Sequence, residues 1–528
     1  MTHAPLRLAA LLGGFLGLSH AALAQGNYLN EALLYSRQGP TGTARTLGLG
    51  GASASLGGDY GSVATNPAGL GFYTRSELTF TPSIATYNAT ATPVANASVS
   101  GNPLAQNTGR LQVANIGLVF ANRRADNDRS SDWRGGAFAL GITRLADFNY
   151  NFSYRNSVSD DVSFYQMLRE PGGLPSNTPT NSPAYQAALA NIYNQDQQGS
   201  YTNLDGLAYG NFLTNIPPRQ NSTNFGRLFI QNPRTGLVQQ DGNVRSEGSL
   251  SQFDLAYGGN YRDRLYIGGG IGITRLRRTL NTRFGESQNG FENFNYTDYL
   301  ETTGTGINGR LGIIVRPTDI IRVGLSAQTP TYISLSDVYS TTLTVNQSYV
   351  RPGPNGQIYS NVLSTDPGSY DYGVTLPFRA NGGLTVLLNK YGFLTGDVEY
   401  VNYKATRFHA NANDNTQDIP LNNQSITALY KNAFNFKVGL EGRFDIFRAR
   451  VGYAYYGNPY EYANYDGSQN YYSAGVGIRT KSFFLDLTDQ YISGKSQYTP
   501  YDLVAGNAPV SKLENNRNTV SLTGGVLF

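Results

Sequence analysis

The sequence contains no cysteine, only three histidines and only 14% charged residues among its 528 residues. Without cysteine, the chain forms neither a disulfide framework nor a thiolate metal site. The formal net charge is +4 and long basic runs are absent, which argues against a nucleic-acid partner. A mean hydropathy of −0.35, with no second long apolar run, excludes a bundle of membrane-spanning helices.

Residues that carry enzyme chemistry are also scarce. His409 is the single histidine after the first twenty residues, and it lies in a predicted loop without a motif around it. Asp126-Asn127-Asp128 resembles part of a calcium loop, but no glutamate follows at the required spacing. No glycine-rich loop is followed by Lys-Ser or Lys-Thr. We therefore expect no enzyme, no metal site and no cofactor.

The N-terminus has the pattern of an export signal. His3 and Arg7 precede an apolar run from Leu8 to Leu18, and Ala22-Leu23-Ala24 fits a small-x-small cleavage site. A membrane-anchoring helix is the alternative, but the run is short and three glycines interrupt it. Residues 1–24 are therefore predicted to be a cleaved signal peptide.

Most of the remaining chain alternates apolar and polar residues with a period of two, which indicates β-strands. The predicted strands, about fourteen in number, are Glu77–Asn88, Leu111–Asn122, Trp133–Asp147, Ser249–Tyr261, Arg264–Arg278, Thr302–Arg316, Ile320–Gln328, Leu376–Asn389, Tyr391–Tyr403, Asn432–Arg443, Ile446–Tyr456, Tyr471–Arg479, Ser482–Tyr491 and Asn518–Phe528.

The connections between these strands fall into two kinds. Very short turns, such as Arg262-Asp263 and Phe444-Asp445, alternate with long segments rich in Asn, Ser, Tyr and Gly. The long segments are 89–110, 148–248, 279–301, 329–375, 404–431, 457–470 and 492–517. Short turns at one end and long loops at the other are typical of an outer-membrane barrel.

The two faces of the strands agree with a barrel in lipid. In Ser482–Tyr491, Phe483 and Leu485 alternate with the polar Asp486 and Thr488. A sheet in a membrane must close on itself, because lipid offers its backbone N–H and C=O groups no hydrogen-bond partner. The outer face of such a barrel is apolar toward lipid, and its inner face is polar. Residues 75–528 are thus predicted to form an all-β, transmembrane, antiparallel β-barrel in a bacterial outer membrane.

Helical signals occur inside the segment 148–248. Ser182-Pro183 can begin a helix with Tyr185, Ala188, Leu189, Ile192 and Tyr193 on one face. Ser159 can cap a second, shorter helix that Pro171-Gly172 ends. Two interpretations stay open: a lid that covers the barrel mouth, or an apolar surface that binds a hydrophobic ligand arriving from outside.

Residues 46–73 are dense in glycine and suit neither a strand nor a long helix. Gly48, Gly50 and Gly51 let the backbone approach a neighbouring surface closely. Asn66-Pro67-Ala68-Gly69 places residues favoured in a type I turn. With a short helix predicted at Glu31–Tyr35, residues 25–74 are predicted to be a compact segment that packs inside the barrel.

The run Thr43-Ala-Arg-Thr-Leu-Gly-Leu-Gly-Gly-Ala52, Asp59 and Asn66-Pro67-Ala68-Gly69-Leu70 resemble the FadL/TodX family of outer-membrane transporters for long-chain fatty acids and other hydrophobic compounds. The resemblance implies a fourteen-stranded barrel whose N-terminal hatch plugs the lumen. Asn66, Pro67 and Ala68 would form the hatch turn. Ligand would enter at the extracellular loops, reach an inner pocket, and leave through hatch movement and a lateral opening in the wall.

The last strand resembles the C-terminal signal by which barrel assembly machinery inserts outer-membrane proteins, since the chain ends on an aromatic, Phe528. Inside the predicted bore, Arg310, Arg322, Arg448 and Arg450 are candidates to pair with a ligand carboxylate. The competing interpretation pairs them with the lumen carboxylates Asp397, Glu399, Glu441 and Asp486.

Transport of a hydrophobic small molecule, with a long-chain fatty acid as the expected ligand, is the function these patterns favour. Apolar walls attract an acyl chain by about 25 cal/mol per Å² of buried area. Two alternatives remain: an adaptor barrel in protein secretion or surface attachment, and a general porin.

Overall fold

A computed structural model describes residues 28–125, 127–128, 130–175, 177–217, 225–230, 236–288, 293–346, 362–411, 418–462, 466–503 and 508–528. The predicted signal peptide 1–24 and Asp126 of the calcium-loop pattern lie outside these residues. Within the described ranges, no helix is long and apolar enough to cross a membrane.

The described ranges contain twenty-two strands, numbered here in chain order. Their bounds are β1 Glu77–Pro93, β2 Val99–Ser100, β3 Leu104–Arg123, β4 Trp133–Asp147, β5 Tyr150–Ser159, β6 Thr214–Asn215, β7 Phe229–Ile230, β8 Leu237–Tyr261, β9 Leu265–Ser287, β10 Asn293–Val315, β11 Ile321–Gln328, β12 Thr331–Asn346, β13 Val362–Ser364, β14 Gly368–Leu376, β15 Arg379–Leu387, β16 Gly392–Val401, β17 Arg407–His409, β18 Ala433–Phe444, β19 Phe447–Tyr456, β20 Gln469–Arg479, β21 Phe483–Tyr498 and β22 Ser511–Leu527.

Helices occupy the N-terminal segment and the long connections. The α-helices are α1 Tyr28–Ser36, α2 Ala44–Gly48, α3 Phe164–Leu168, α4 Pro183–Gln198, α5 Leu204–Gly210 and α6 Asp418–Leu429. Short 3-10 helices cover Tyr60–Ser62, Pro67–Phe72, Asp160–Val162, Pro171–Gly173, Asn389–Tyr391 and Tyr403–Ala405.

Fourteen antiparallel strands close into a barrel. The order around the ring is β1, β3, β4, β8, β9, β10, β11, β15, β16, β18, β19, β20, β21 and β22, and β22 pairs with β1 to close it. Each of the fourteen predicted strands corresponds to one of these. The prediction of an antiparallel barrel of about fourteen strands around an N-terminal segment is confirmed.

The sheet extends well beyond the predicted strands at the long-loop end. Segment 279–301 was expected to be a loop, but β9 and β10 continue through most of it as a hairpin. Segment 329–375 likewise contains β12 and β14: β12 pairs with β10, and β14 pairs with β12. The loop predictions for these two segments are therefore wrong, and 89–110 is partly strand as well.

The outer face of the barrel carries an apolar belt. On neighbouring strands β8, β9 and β10, the outward residues Phe253, Ile273 and Ile307 pair laterally in one row and are all exposed. From Leu265 to Ile273 the belt spans eight residues, about 26 Å along the strand at about 3.3 Å per residue. For a strand tilted by about 40° this is about 20 Å of height, which lies within the apolar band of about 25 Å that barrels present to lipid.

One seam of the wall lacks a continuous backbone ladder. β3 pairs with β4 only from Asn115 to Arg123, although β3 extends to Leu104 and pairs with β1 along most of its length. Above that point, β4 has a bulge between Arg144 and Ala146, and the chain continues as β5 against β8. The wall is thus interrupted between β3 and the β4–β5 junction.

Candidate functional site

The N-terminal segment, residues 28–76, lies inside the ring, and we call it the plug. Its contacts reach inward side chains on strands around the whole circumference, among them Thr523 on β22, Asp397 on β16 and Ser326 on β11. Residues 44–72 contact the short-turn end of the wall, called here the lower bore. Helix α1 lies above them, toward the long loops, and its range includes the predicted helix Glu31–Tyr35.

Asn66 fastens the plug to itself and to the wall. Its side-chain oxygen accepts a hydrogen bond from the Ala68 amide at 3.0 Å, and its amide nitrogen donates to the Ala54 carbonyl at 2.6 Å. The same nitrogen lies 3.3 Å from the carbonyl oxygens of Ile313 and Leu325 in the wall. The predicted turn continues here as a 3-10 helix from Pro67, with Asn66 at its cap.

Asp59 organises the other half of the lower plug. One carboxylate oxygen accepts hydrogen bonds from the hydroxyls of Thr43 and Thr46, at 2.7 and 2.9 Å, and from the Gly61 amide at 2.8 Å. Its other oxygen lies 4.0 Å from Arg45. A single buried carboxylate therefore holds two separate turns of the plug together.

Arg45 connects this turn to the wall. Its guanidinium donates to Glu441 on β18 at 3.2 Å, and Glu441 also pairs with Arg450 and Arg443, each at 2.8 Å. Burial by itself lowers the pKa of Arg45, but the carboxylates of Glu441 and Asp59 outweigh burial and raise it. The plug cation is thus held in its charged form against the wall.

Backbone amides of the plug bind a second wall carboxylate. Ser53 and Ala54 donate their N–H groups to one oxygen of Asp397, at 2.7 and 2.8 Å, and the Ser55 hydroxyl lies 2.7 Å from that of Thr385. Charge-assisted bonds of this kind are stronger than neutral ones. Asp397 therefore accepts hydrogen bonds from the plug instead of forming the ion pair with an arginine that the sequence predicts.

Inward glycines line the wall where the plug touches it. A Cβ on Gly439 would lie 2.7 Å from the Leu49 carbonyl oxygen, and one on Gly258 would lie 2.7 Å from that of Pro67. The plug has matching glycines: Gly50 (φ +67°) approaches the Tyr453 carbonyl and Gly48 approaches Thr488, whereas Gly51 packs against Pro40 within the plug. Wall and plug backbones therefore meet with no space for a side chain. Further wall glycines of this kind are Gly268, Gly312, Gly324 and Gly452.

The four candidate arginines have different partners. Arg450 pairs with Glu441 and Asp486, as the ion-pair interpretation predicts. Arg310 pairs instead with Asp254 on β8 and donates to the Ala64 carbonyl of the plug. Glu399 pairs with Arg379 and Lys437, neither of which was a candidate.

Arg322 and Arg448 have no carboxylate partner among the described residues. Arg322 donates to the Leu56 carbonyl at 2.5 Å and lies 4.3 Å above the Phe72 ring, so it packs against the plug. Arg448 donates to the carbonyls of Asp445 and Phe447 at a short turn. The structure does not bring the four arginines together into one anion site.

A middle apolar cluster surrounds α1. Tyr28 and Tyr35 are buried against Phe148, Tyr372 and Phe408, with ring centroids 4.9 to 5.7 Å apart. Other members are Ala32, Leu145, Ala146, Leu250, Leu276, Ile333, Leu335, Val374, Leu376, Val401, Tyr403, Ile419, Ile426, Tyr430 and Ala433. The side chains of α1 thus occupy an apolar chamber in the middle of the bore.

One cation is buried at the edge of this chamber. Arg278 on β9 pairs with Glu31 of α1 at 3.0 Å and donates to the hydroxyls of Tyr150 at 3.3 Å and Ser246 at 3.2 Å. Burial raises the pKa of Glu31, and Arg278 only partly opposes this effect. An acidic group of the plug therefore neutralises Arg278 inside the bore.

A larger apolar cluster, the upper cluster, fills the long-loop end of the bore. At its centre, the Phe164 ring lies 5.2 to 5.9 Å from the rings of Phe284, Phe294, Tyr296 and Tyr501. Other members come from the loop helices and the inner wall, including Met167, Leu168, Leu204, Leu207, Leu213, Leu343, Val345 and Leu503. The loop helices therefore pack an apolar surface against the inner wall of the bore.

The helical predictions for 148–248 are largely correct. Pro183 is the first residue of α4, and Tyr185, Leu189 and Ile192 are buried in a small separate cluster with Phe225 and Leu228. Ser159 precedes the 3-10 helix Asp160–Val162, but it makes no capping bond and its hydroxyl instead donates to Asp161. Helix α3 lies inside the predicted second helix, between Ser159 and Pro171, whereas α5, which follows α4, had no sequence signal.

The interrupted seam of the wall forms a cleft at the level of the middle cluster. Its lining includes Tyr87, which faces the bore, and Arg245, which faces outward, with Asn149 and Tyr150 between them. Asp147 next to the break bonds to Tyr87 and lies 3.1 Å from Arg517. The cleft therefore lies in the wall next to Phe148 and α1, and both inward-facing and outward-facing residues line it.

His409 lies on strand β17 rather than in the predicted loop, and its Nε2 is 2.7 Å from the Thr375 hydroxyl. Among the described residues, no group of three His, Cys, Asp or Glu side chains is arranged to hold a metal ion. Phe528 lies at the short-turn end, where its backbone exchanges two hydrogen bonds with Ser76, at 3.1 and 3.0 Å.

No protein-family model and no curated protein matches the sequence. Solved structures do match. A Pseudomonas aeruginosa FadL homologue has 13% identity and a TM-score of 0.53 over 93% of this chain and 99% of that one. The P. putida toluene transporter TodX, at 12% identity, covers the same shares with a TM-score of 0.46. The Ralstonia pickettii toluene transporter TbuX, also at 12%, gives 0.45 over 92% and 98%.

The first of these similarities establishes a shared fold along almost the whole chain. The TM-scores of the other two lie below 0.5 and support no further statement. At 13% identity, the shared fold does not transfer a ligand or a residue role to this chain.

Proposed function

We propose that this protein carries hydrophobic small molecules, long-chain fatty acids among them, across a bacterial outer membrane. The observation that supports this most directly is the division of the bore: apolar clusters fill its upper and middle parts, and below them plug residues 44–72 are fastened to the wall by polar contacts. Apolar chambers attract an acyl chain, whereas a seated plug blocks free flow of water and ions.

In this proposal, ligand enters the upper cluster and then the middle cluster, from which it must displace α1. Arg278, released from Glu31, would orient an acidic headgroup. The cleft between β3 and the β4–β5 junction would serve as the lateral opening, and the plug residues Asn66, Pro67, Ala68, Gly69 and Asp59 would set how far the plug moves.

The same proposal covers export and insertion. Residues 1–24 would be removed as a signal peptide, residues 25–74 would be the plug, and residues 75–528 would form the membrane barrel. Assembly machinery would recognise the last strand through Phe528. The exposed apolar belt, with Phe253, Ile273 and Ile307 in one row, supports contact with membrane lipid.

Uptake of radiolabelled oleate tests the transport proposal. Cells that lack the protein should take up less oleate than cells that express it, and extraction of the purified barrel followed by mass spectrometry should recover a hydrophobic compound. Undiminished uptake together with a co-purifying protein would instead favour the secretion or attachment adaptor.

Liposome swelling separates transport from a general porin. Because the plug contacts the wall on all sides, liposomes containing the intact protein should not swell in small sugars. Free permeation of sugars would contradict a plugged bore.

A further inference from the structure

The outer face of the wall changes character abruptly above the apolar belt on β8, β9 and β10. Directly above the row Phe253–Ile273–Ile307, the next row is Ser251, Arg275 and Thr305, and the row after it is Ser249, Arg277 and Thr303. Rows on one face lie two residues apart, about 7 Å along the strand. Two outward arginines therefore occupy consecutive rows at the edge of the belt.

Further arginines extend this surface upward. Arg245 on β8 and Arg283 on β9 also face outward, and both are exposed. We call Arg245, Arg275, Arg277 and Arg283 the arginine patch. The side chain of Arg277 is 66% exposed and that of Arg245 is 53% exposed, so both guanidinium groups remain accessible.

Acidic residues neutralise the patch only in part. Glu301 lies 3.1 Å from Arg277, and Glu247 pairs with Arg245 and with Arg110. Arg275 has no carboxylate partner within the described part of the chain; its lateral neighbours in the sheet are Ser251 and Thr305. The patch thus keeps a positive excess at the level where lipid headgroups begin.

The opposite wall is different at the edge of its own belt. There, Tyr453, Tyr472 and Tyr491 on β19, β20 and β21 pair laterally in one exposed row. Tyrosine at this level suits any headgroup region, because an amphipathic ring needs no particular charge. Arginines in consecutive rows favour an anion instead, and phosphate is an anion of lipid headgroups that guanidinium binds in bidentate geometry.

We infer that the arginine patch binds the phosphate groups of an anionic lipid headgroup in the outer leaflet, with Arg275 and Arg277 as the principal contacts. The inference rests on the proposed outer-membrane setting, in which the long loops face outward. The acyl chains of the same lipid would lie against Ile271 and Ile273 directly below, so one lipid would satisfy both surfaces.

The test uses the full-length barrel in phosphatidylcholine bilayers that contain bis-phosphorylated lipid A or the same glycolipid after dephosphorylation. After purification, the retained glycolipid per barrel is measured by mass spectrometry. The native barrel should retain the phosphorylated form preferentially. The Arg275→Gln variant should retain it about fivefold more weakly, and the double variant with Arg277→Gln about twenty-five-fold more weakly.

The matched control is Lys495→Gln with Lys512→Gln, which removes two exposed charges from β21 and β22; this variant should retain lipid like the native barrel. Equal retention of both glycolipids, native-level retention by the double arginine variant, or displacement of the lipid by inorganic phosphate would each overturn the inference. Oleate uptake by the same variants is measured separately, and it should remain at the native level because Arg275 and Arg277 lie outside the bore and do not line the cleft.

Discussion

The lower and upper parts of the bore are closed by different kinds of contact. Below, the plug is held by directional bonds: Asn66 to three carbonyls, Asp397 to two amides, and Arg45 to Glu441. Above, loop residues such as Phe164 are held mainly by burial of apolar area. Directional contacts permit one arrangement, whereas apolar surfaces tolerate several. The lower plug is therefore held in one arrangement, whereas the upper cluster can adapt its packing.

The strongest test of this difference is Glu441→Gln. Three arginines, Arg45, Arg443 and Arg450, lie within 3.2 Å of this buried carboxylate. Its neutralisation leaves buried positive charge uncompensated and should cost about 3–5 kcal/mol. Urea unfolding of the barrel in lipid vesicles measures the loss. Glu301→Gln, at a partly exposed pair, should change stability by less than about 1 kcal/mol.

Gly439→Ala should have the next largest effect. Its Cβ would lie 2.7 Å from the Leu49 carbonyl oxygen, and overpacking of this kind costs about 1–3 kcal/mol. The displaced plug should admit small sugars in liposome swelling. Gly442→Ala, on the same strand with nothing within 4 Å, is the control. If both variants swell alike, close contact between plug and wall does not determine the seal.

Asn66→Ala should weaken the seal somewhat less. The substitution removes the side-chain bonds to Ala54 and Ala68 and leaves buried backbone groups unpaired, at a cost of about 1–3 kcal/mol. Protease cleavage within residues 44–72 of the purified barrel should become faster. Cleavage at the native rate would show that the turn holds without its side chain.

Phe164→Leu should have the smallest effect on closure. The change removes ring contacts with four neighbours but keeps an apolar side chain of similar size, so about 1 kcal/mol is lost. Sugar permeability should stay at the native level while retention of oleate falls. If the Phe164→Leu barrel admits sugars, the upper cluster also contributes to the seal, and the proposed difference between the lower plug and the upper cluster is wrong.

The sequence predicts the belt-level strands well because their outward residues are apolar and their inward residues are polar, which gives a period of two. Trp133–Asp147 was predicted with its observed bounds, and Ile320–Gln328 differs by one residue. Above the belt the outward side meets water, so the apolar residues disappear from the pattern while the ladder continues. The hairpin of β9 and β10 through 279–301 was missed for this reason.

The plug was predicted from its own glycines, but the surface that receives it was not. Gly258, Gly268 and Gly312 occupy inward positions near the short turns, a placement that the strand pattern alone could have revealed. The partner of Arg310 was not predictable by alternation, because Asp254 lies two strands away and only the register brings them together.

The two hydrogen bonds between Phe528 and Ser76 join the end of β22 to the root of the plug. Ring closure between β1 and β22 and attachment of the plug therefore take place at the same point, so a change that loosens this end of the β1–β22 pair would also loosen the plug.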